Sequence, residues 1–272
     1  MKRLLILILA ASMIFSLAAC GTEKAEDTLL PSPAPAADAQ KDAMGSEYTV
    51  DAGAEHSGSE DAAADTYDPD ADPELIAQVE AAEAMMFPEH SSDADFESAY
   101  ELLSAPVEAG NSQAMYLMGW LYQNARGVEQ DFAKAFELYS NSAAKNNSEA
   151  MVGLGSLYQG GYGLEQDYGK AAEWYTRAAE LGNATAMYSL GNLAVFGHGM
   201  DVDYALAREW FEKAAELGNG SAMNNLGSLY QNGWGVEQDY QKALEWYQKA
   251  ADAGVYTAEK NIDYLQQNGF VQ

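Results

Sequence analysis

The sequence predicts an all-α fold, an α-solenoid of 36-residue helix-turn-helix repeats, and three observations predict it. A block of residues returns in register: Ala114-Met115 with Gly119 and Tyr122, Ala150-Met151 with Gly155 and Tyr158, Ala186-Met187 with Gly191, Ala222-Met223 with Gly227 and Tyr230. Each unit holds two segments with apolar residues at helical spacing, such as Met151, Leu154, Leu157 and Tyr158 in the first. A glycine-rich break such as Gly160-Gly161-Tyr162-Gly163 separates them. A fixed period of this length is the mark of a stack of like units.

The elements follow in order. Residues 1–20 read as a lipoprotein signal peptide. Lys2 and Arg3 precede an apolar run, Leu4 to Leu17, that is shorter than the about 20 residues of a membrane span. The run closes on Leu17-Ala18-Ala19-Cys20, which resembles a bacterial lipobox; the resemblance implies that Cys20 is diacylated and becomes the mature N-terminus. Cys20 is the chain's one cysteine, which leaves no intrachain disulfide. The expected address is therefore extracytoplasmic, at the cell membrane or outer membrane, held by acyl chains.

Residues 21–73 form an acidic linker. It carries 14 acidic residues against Lys24 and Lys41. With few large apolar side chains it is expected to be a disordered tether. It ends in Asp68-Pro69-Asp70-Ala71-Asp72, whose alternating carboxylates resemble the start of a calcium loop. Pro73 stands where such a loop needs glycine and Val79 where it needs glutamate, so the expected state is a solvated acidic run.

Residues 74–272 are the solenoid, with repeats at about 74–111, 112–147, 148–183, 184–219 and 220–255 and a closing helix at 256–268. The first repeat is degenerate, as a terminal repeat facing water should be. Asp131, Asp167, Asp203 and Asp239 precede the second helices and are expected to cap them. Gly182, Gly218 and Gly254, with Asn146 in their place in one unit, are expected to end them in a left-handed residue. Gly119, Gly155, Gly191 and Gly227 mark expected close approaches, and Trp174, Trp210 and Trp246 expected wide gaps.

The order Ala-x(3)-Leu-Gly-x-Leu-Tyr, Gly-x-Gly-Val, Asp-Tyr-x-Lys-Ala, Trp-Tyr-x-Lys-Ala-Ala, Gly-Asn resembles the Sel-one-like repeat, a relative of the tetratricopeptide repeat, over residues 112 to 258. The resemblance implies a right-handed superhelix that serves as a protein-interaction scaffold, with the first helix of each pair lining the concave face. It implies no chemistry.

Removing the repeated core positions from those first helices leaves Gln113, Tyr116, Trp120 and Gln123; Glu149, Val152, Ser156 and Gln159; Thr185, Tyr188 and Asn192; and Ser221, Asn224, Asn225 and Ser228. Each set falls on one helix face. They are the expected peptide-binding groove, with Tyr116, Trp120 and Tyr188 as anchors. The competing reading is a solvated inner face with Trp120 packed locally. The loop positions Arg126, Tyr162, His198 and Trp234, which differ in every repeat, are the next candidates.

A net charge of −28 repels phosphate backbones, so nucleic acid is not the expected partner. His56, His90 and His198 have no partner at ligand spacing, and neither a metal nor a cofactor is expected. Ser142-Ala143-Ala144-Lys145 matches the Ser-x-x-Lys string of penicillin-recognising enzymes but stands without companion motifs. The expected protein is a non-enzymatic, membrane-anchored scaffold for a protein or peptide. A cell-wall or β-lactam hydrolase and a ligandless structural spacer are the alternatives.

Overall fold

The computed structural model describes residues 68–87 and 91–271. Cys20 and the signal segment, the linker up to residue 67, His56 and His90 lie outside the described residues. Eleven helices and no strand occur among the described residues. They are α1 (Pro73–Met86), α2 (Asp93–Ala109), α3 (Ser112–Asn124), α4 (Phe132–Ala143), α5 (Ser148–Gly160), α6 (Tyr168–Glu180), α7 (Ala184–Phe196), α8 (Tyr204–Glu216), α9 (Gly220–Asn232), α10 (Tyr240–Asp252) and α11 (Tyr256–Gln267). None of them is long and apolar enough to cross a membrane.

Local chemistry sets the ends of these helices. The carboxylates of Asp131 and Asp167 accept the backbone N–H of Lys134 at 3.0 Å and of Lys170 at 2.9 Å. Asp203 and Asp239 cap α8 and α10 in the same way. The side-chain carbonyls of Asn111, Asn147, Asn183 and Asn219 do this for α3, α5, α7 and α9. Gly182, Gly218 and Gly254 take φ of 83°, 86° and 84°, and Asn146 takes 64°, the left-handed stop expected of them.

Each helix packs mainly on its neighbours in sequence, so the core is a ribbon running from repeat to repeat. Its repeated unit is a glycine on the first helix facing an aromatic ring on the second. A Cβ on Gly155 would stand 2.5 Å from the Tyr175 ring, and one on Gly227 would stand 2.5 Å from Tyr247. Tyr139 fills the same place over Gly119 and Phe211 over Gly191.

These buried rings correct the expectation that Trp174, Trp210 and Trp246 fill the wide gaps. The tryptophans stand one position earlier and are only half-buried. Arg177, Lys213 and Lys249 lie over their rings at 4.4, 4.3 and 4.1 Å. A cation over an exposed indole contributes about 0.5–1 kcal/mol.

The variable loop residues also prove structural. Tyr162 stacks on Phe132 at 5.4 Å, His198 on Tyr168 at 4.3 Å and Trp234 on Tyr204 at 5.3 Å. Arg126 lies 5.4 Å from the centre of Phe96. Phe270, after the closing helix, continues the series on Tyr240 at 4.4 Å. Each loop is thus riveted to the start of the second helix in the preceding repeat. The glycine that follows lets the backbones meet: a Cβ on Gly235, at φ 67°, would lie 2.8 Å from the Tyr204 carbonyl carbon.

The acidic run at the linker's end is not merely solvated. The Asn111 amide donates to the Pro69 carbonyl at 2.9 Å, and Asp70 accepts the Ser112 backbone N–H and the Lys145 ammonium. Burial raises the Asp70 pKa, but the Ser112 bonds and Lys145 outweigh it and hold the carboxyl below the usual range. The end of the linker is clasped to α3 and to the turn after α4.

Candidate functional site

A cleft of about 380 Å³ opens along α3, α5 and α7. Successive first helices present the same face, so residues three or four apart on each helix line up across repeats. Ten of the expected groove residues line it: Tyr116, Trp120, Gln123, Glu149, Val152, Ser156, Gln159, Thr185, Tyr188 and Asn192.

Its back wall is aromatic and fixed by hydrogen bonds. The Tyr139 hydroxyl donates to Gln123 Oε1 and the Tyr175 hydroxyl to Gln159 Oε1, both at 2.9 Å. Tyr247 makes the same bond to Gln231 at 2.9 Å. In the remaining repeat Phe211 replaces the tyrosine, and Val195, also buried, replaces the glutamine. Hydroxyl and acceptor have been exchanged together, so no buried acceptor is stranded. Gly153 lets the Tyr139 ring come forward, since a Cβ there would meet it at 2.7 Å.

Tyr116 stacks on Tyr139 with centroids 6.0 Å apart, and Tyr188 tilts against Phe211 at 5.9 Å. Burial, then the charges of Glu149 and Glu83, push the Tyr116 phenol up, so it is protonated and uncharged at neutral pH. Among the described residues, Glu149 is the one charged side chain lining the cleft. Its Oε2 accepts the Ser148 hydroxyl at 3.2 Å. No lysine or arginine among the described residues reaches the lining. Lys134, Lys170 and Lys242 instead lie over Tyr122, Tyr158 and Tyr230 at 4.8, 5.3 and 5.4 Å.

Trp120 belongs to two environments. It edges the cleft, yet it is 7% exposed and packs on Phe87 at 5.5 Å and Phe96 at 6.1 Å. It is a core residue of the first repeats more than a free anchor. This is the local packing that competed with the anchor reading.

Five expected groove residues lie outside the lining. Gln113 bridges repeats, donating to Glu83 at 2.6 Å and accepting from Asn147 at 3.0 Å. Asn224, Asn225 and Ser228 are buried. Asn224 accepts from Asn261 at 2.9 Å, Asn225 donates to Asn192 at 3.1 Å, and Ser228 pairs with Tyr247 at 3.1 Å. Ser221 is half-buried on the same helix. The polar residues of this end are thus satisfied by side chains of α11, α7 and α10.

Tyr139, Gly153, Gly160, Tyr168, Tyr175, Asn183, Ser189 and Asn219 line the cleft but were not among the expected residues, and Tyr162, one of the loop candidates, lines it too. The paired exchange of Tyr and Gln for Phe211 and Val195 is the sequence signal that could have revealed the back wall. The Ser-x-x-Lys string gives no nucleophile. Ser142 is fully buried, its hydroxyl donates to the Ser112 carbonyl at 2.7 Å, and Lys145 is held by Asp70 at 3.2 Å.

Comparison with solved structures places this solenoid among known relatives. The Sel1 repeat protein of Oxalobacter formigenes is 27% identical with a TM-score of 0.59, over 70% of this chain and 84% of that one. The protective antigen c5321 of uropathogenic Escherichia coli is 33% identical with a TM-score of 0.61, and this chain spans 72% of itself and 42% of that longer chain. The immunity protein Pa5087 of Pseudomonas aeruginosa is 27% identical with a TM-score of 0.53, over 69% of each chain. No match was found among curated proteins. The Sel1 repeat pattern matches residues 112–147, 148–183, 184–219 and 220–255, the units whose caps, glycine contacts and loop rivets repeat above, and the chain belongs to the Sel1 repeat family.

Proposed function

We propose that this protein is a membrane-tethered, extracytoplasmic scaffold that binds an extended peptide segment of a partner protein along the cleft of α3, α5 and α7. Helical solenoids of this kind commonly scaffold protein–protein contacts. The observation that carries the reading is the cleft itself, lined by aromatic rings and by amide and hydroxyl groups from the first helices of three successive repeats. Rings supply apolar contact area, and Gln159, Thr185 and Asn192 suit the N–H and C=O groups of an extended backbone.

The anchoring half of the proposal rests on Leu17-Ala18-Ala19-Cys20. The linker then serves as a spacer between bilayer and solenoid. The mass of the mature N-terminal peptide tests it: a diacylglyceryl group on Cys20 is expected, and an unmodified cysteine sinks the anchor.

Photo-crosslinking in cells tests the cleft. A photoreactive residue placed at Gln159 or Thr185 should capture a partner, and one at Glu173 on the outer face should not. Capture from Glu173 alone would overturn the cleft as the binding face.

A further inference from the structure

Resting on the peptide-cleft reading, we propose that the Tyr116–Glu149 end of the cleft receives the ammonium or guanidinium head of a lysine or arginine side chain carried by the bound peptide. Three observations point there. The lining includes the aromatic side chains of Tyr116 and Tyr188 in front of buried Tyr139 and Phe211, and aromatic rings attract cations.

The single charged side chain in the lining, among the described residues, is Glu149, and it sits beside Tyr116 closely enough for its charge to act on the phenol. Glu83 acts on the same ring from the preceding repeat, held there by the Gln113 amide at 2.6 Å. The Ser148 hydroxyl occupies one site on Glu149 Oε2, and a carboxylate has about four acceptor sites, so capacity for a further donor is left.

No cation of the described chain competes for the place. The described lysines and arginines are engaged elsewhere: Lys134, Lys170, Lys242 and Lys260 over tyrosines, Arg177, Lys213 and Lys249 over tryptophans, Arg126 over Phe96, Arg208 with Glu212 and Lys145 with Asp70. The cleft therefore combines a carboxylate and aromatic side chains with no lysine or arginine of the described residues in its lining. A carboxylate on the incoming peptide would be repelled by Glu149, and a neutral aliphatic chain would leave the charge unanswered. The site selects a cation by attraction and excludes anions by repulsion.

The probe is a set of acetylated, amidated peptide pools that differ only in a fixed central residue, lysine, arginine, norleucine or glutamate. The flanks are randomised over neutral residues. Fluorescence anisotropy with the full chain at low salt should show the lysine and arginine pools binding at least about tenfold more tightly than the norleucine pool, with the glutamate pool weakest. Glu149→Gln, which keeps shape and hydrogen bonding, should shrink the lysine-over-norleucine ratio to about threefold or less. Glu173→Gln, on the outer face, removes the same net charge and should leave the ratio unchanged. Equal binding of lysine and norleucine pools overturns the cation site and leaves the peptide cleft standing. An unchanged ratio in Glu149→Gln also overturns it, because the preference would then come from the chain's overall charge. Saturable binding by none of the pools overturns both the cation site and the peptide cleft.

Discussion

Two stretches of the same helical face behave oppositely. Along α3, α5 and α7 the positions of Tyr116, Val152 and Tyr188 open onto a cleft. One repeat further, on α9, the same position is Asn224, 7% exposed and bonded to Asn261 of α11. Trp120, Ser156 and Asn192 edge the cleft, while their counterpart Ser228 is 6% exposed and bonded to Tyr247. Repeat membership fixes the scaffold of both regions, but side chains of three other helices engage the face of α9: Asn261 of α11 at Asn224, Asn192 of α7 at Asn225 and Tyr247 of α10 at Ser228. α11 carries exposed Asp263 where earlier first helices carry the core glycine. Among the described residues no ring packs on that place, and a charged side chain there stays in water.

This contrast can be broken or sharpened experimentally. The largest effect is expected at Trp120, on the open side but in the core. Trp120→Ala should lower unfolding free energy by about 3–5 kcal/mol in chemical denaturation. A loss of peptide binding with unchanged stability would instead make Trp120 a true anchor of the open half.

Next come Gly155→Val and Gly227→Val, one in each region, each expected to cost about 1–3 kcal/mol because the new carbons collide with Tyr175 and Tyr247. Both regions share one packing scheme, so the two costs should agree. A denaturation midpoint that moves for only one of them would break that equivalence.

Phe211→Tyr should cost about 1–2 kcal/mol, since its hydroxyl would meet Val195 rather than a glutamine. Adding Val195→Gln should recover most of the loss, and a thermal-melting double-mutant cycle measures the coupling. Additive effects would show that the Tyr–Gln bonds behind the cleft are not a matched pair.

Asn224→Ala should cost about 1 kcal/mol of stability through the lost Asn261 bond and leave peptide affinity unchanged. Weakened affinity at full stability would extend the site into the closed half.

The smallest effect is expected at Asp70→Asn, under about 1 kcal/mol for a partly exposed ion pair. The folded-state pKa of Asp70 lies below its ordinary 3.8, so the unfolded chain takes up the proton first. The stabilisation is therefore present above about pH 4 and lost as pH falls through the lowered value. Melting temperatures of the wild-type and Asp70→Asn proteins should differ near neutrality and converge in acid. A gap that widens in acid would contradict the clasp.

The sequence by itself determined the period, the helix boundaries and their caps. Those features close within a few residues: Asp167 reaches the backbone of Lys170, and Gly182 turns on its own φ. It also put on one helix face ten of the residues that line the cleft, because one helix face is a matter of spacing. The tertiary structure alone decided which of two adjacent aromatics, Trp174 or Tyr175, enters the core, because that depends on Gly155 of a different helix. It alone decided that the loop residues Tyr162, His198 and Trp234 are rivets to the preceding repeat. The clasp of Asp70 by Lys145 joins residues 75 positions apart, and Asn261 reaches Asn224 across 37. No local pattern encodes such pairs, since their partners become neighbours only once the repeats have stacked.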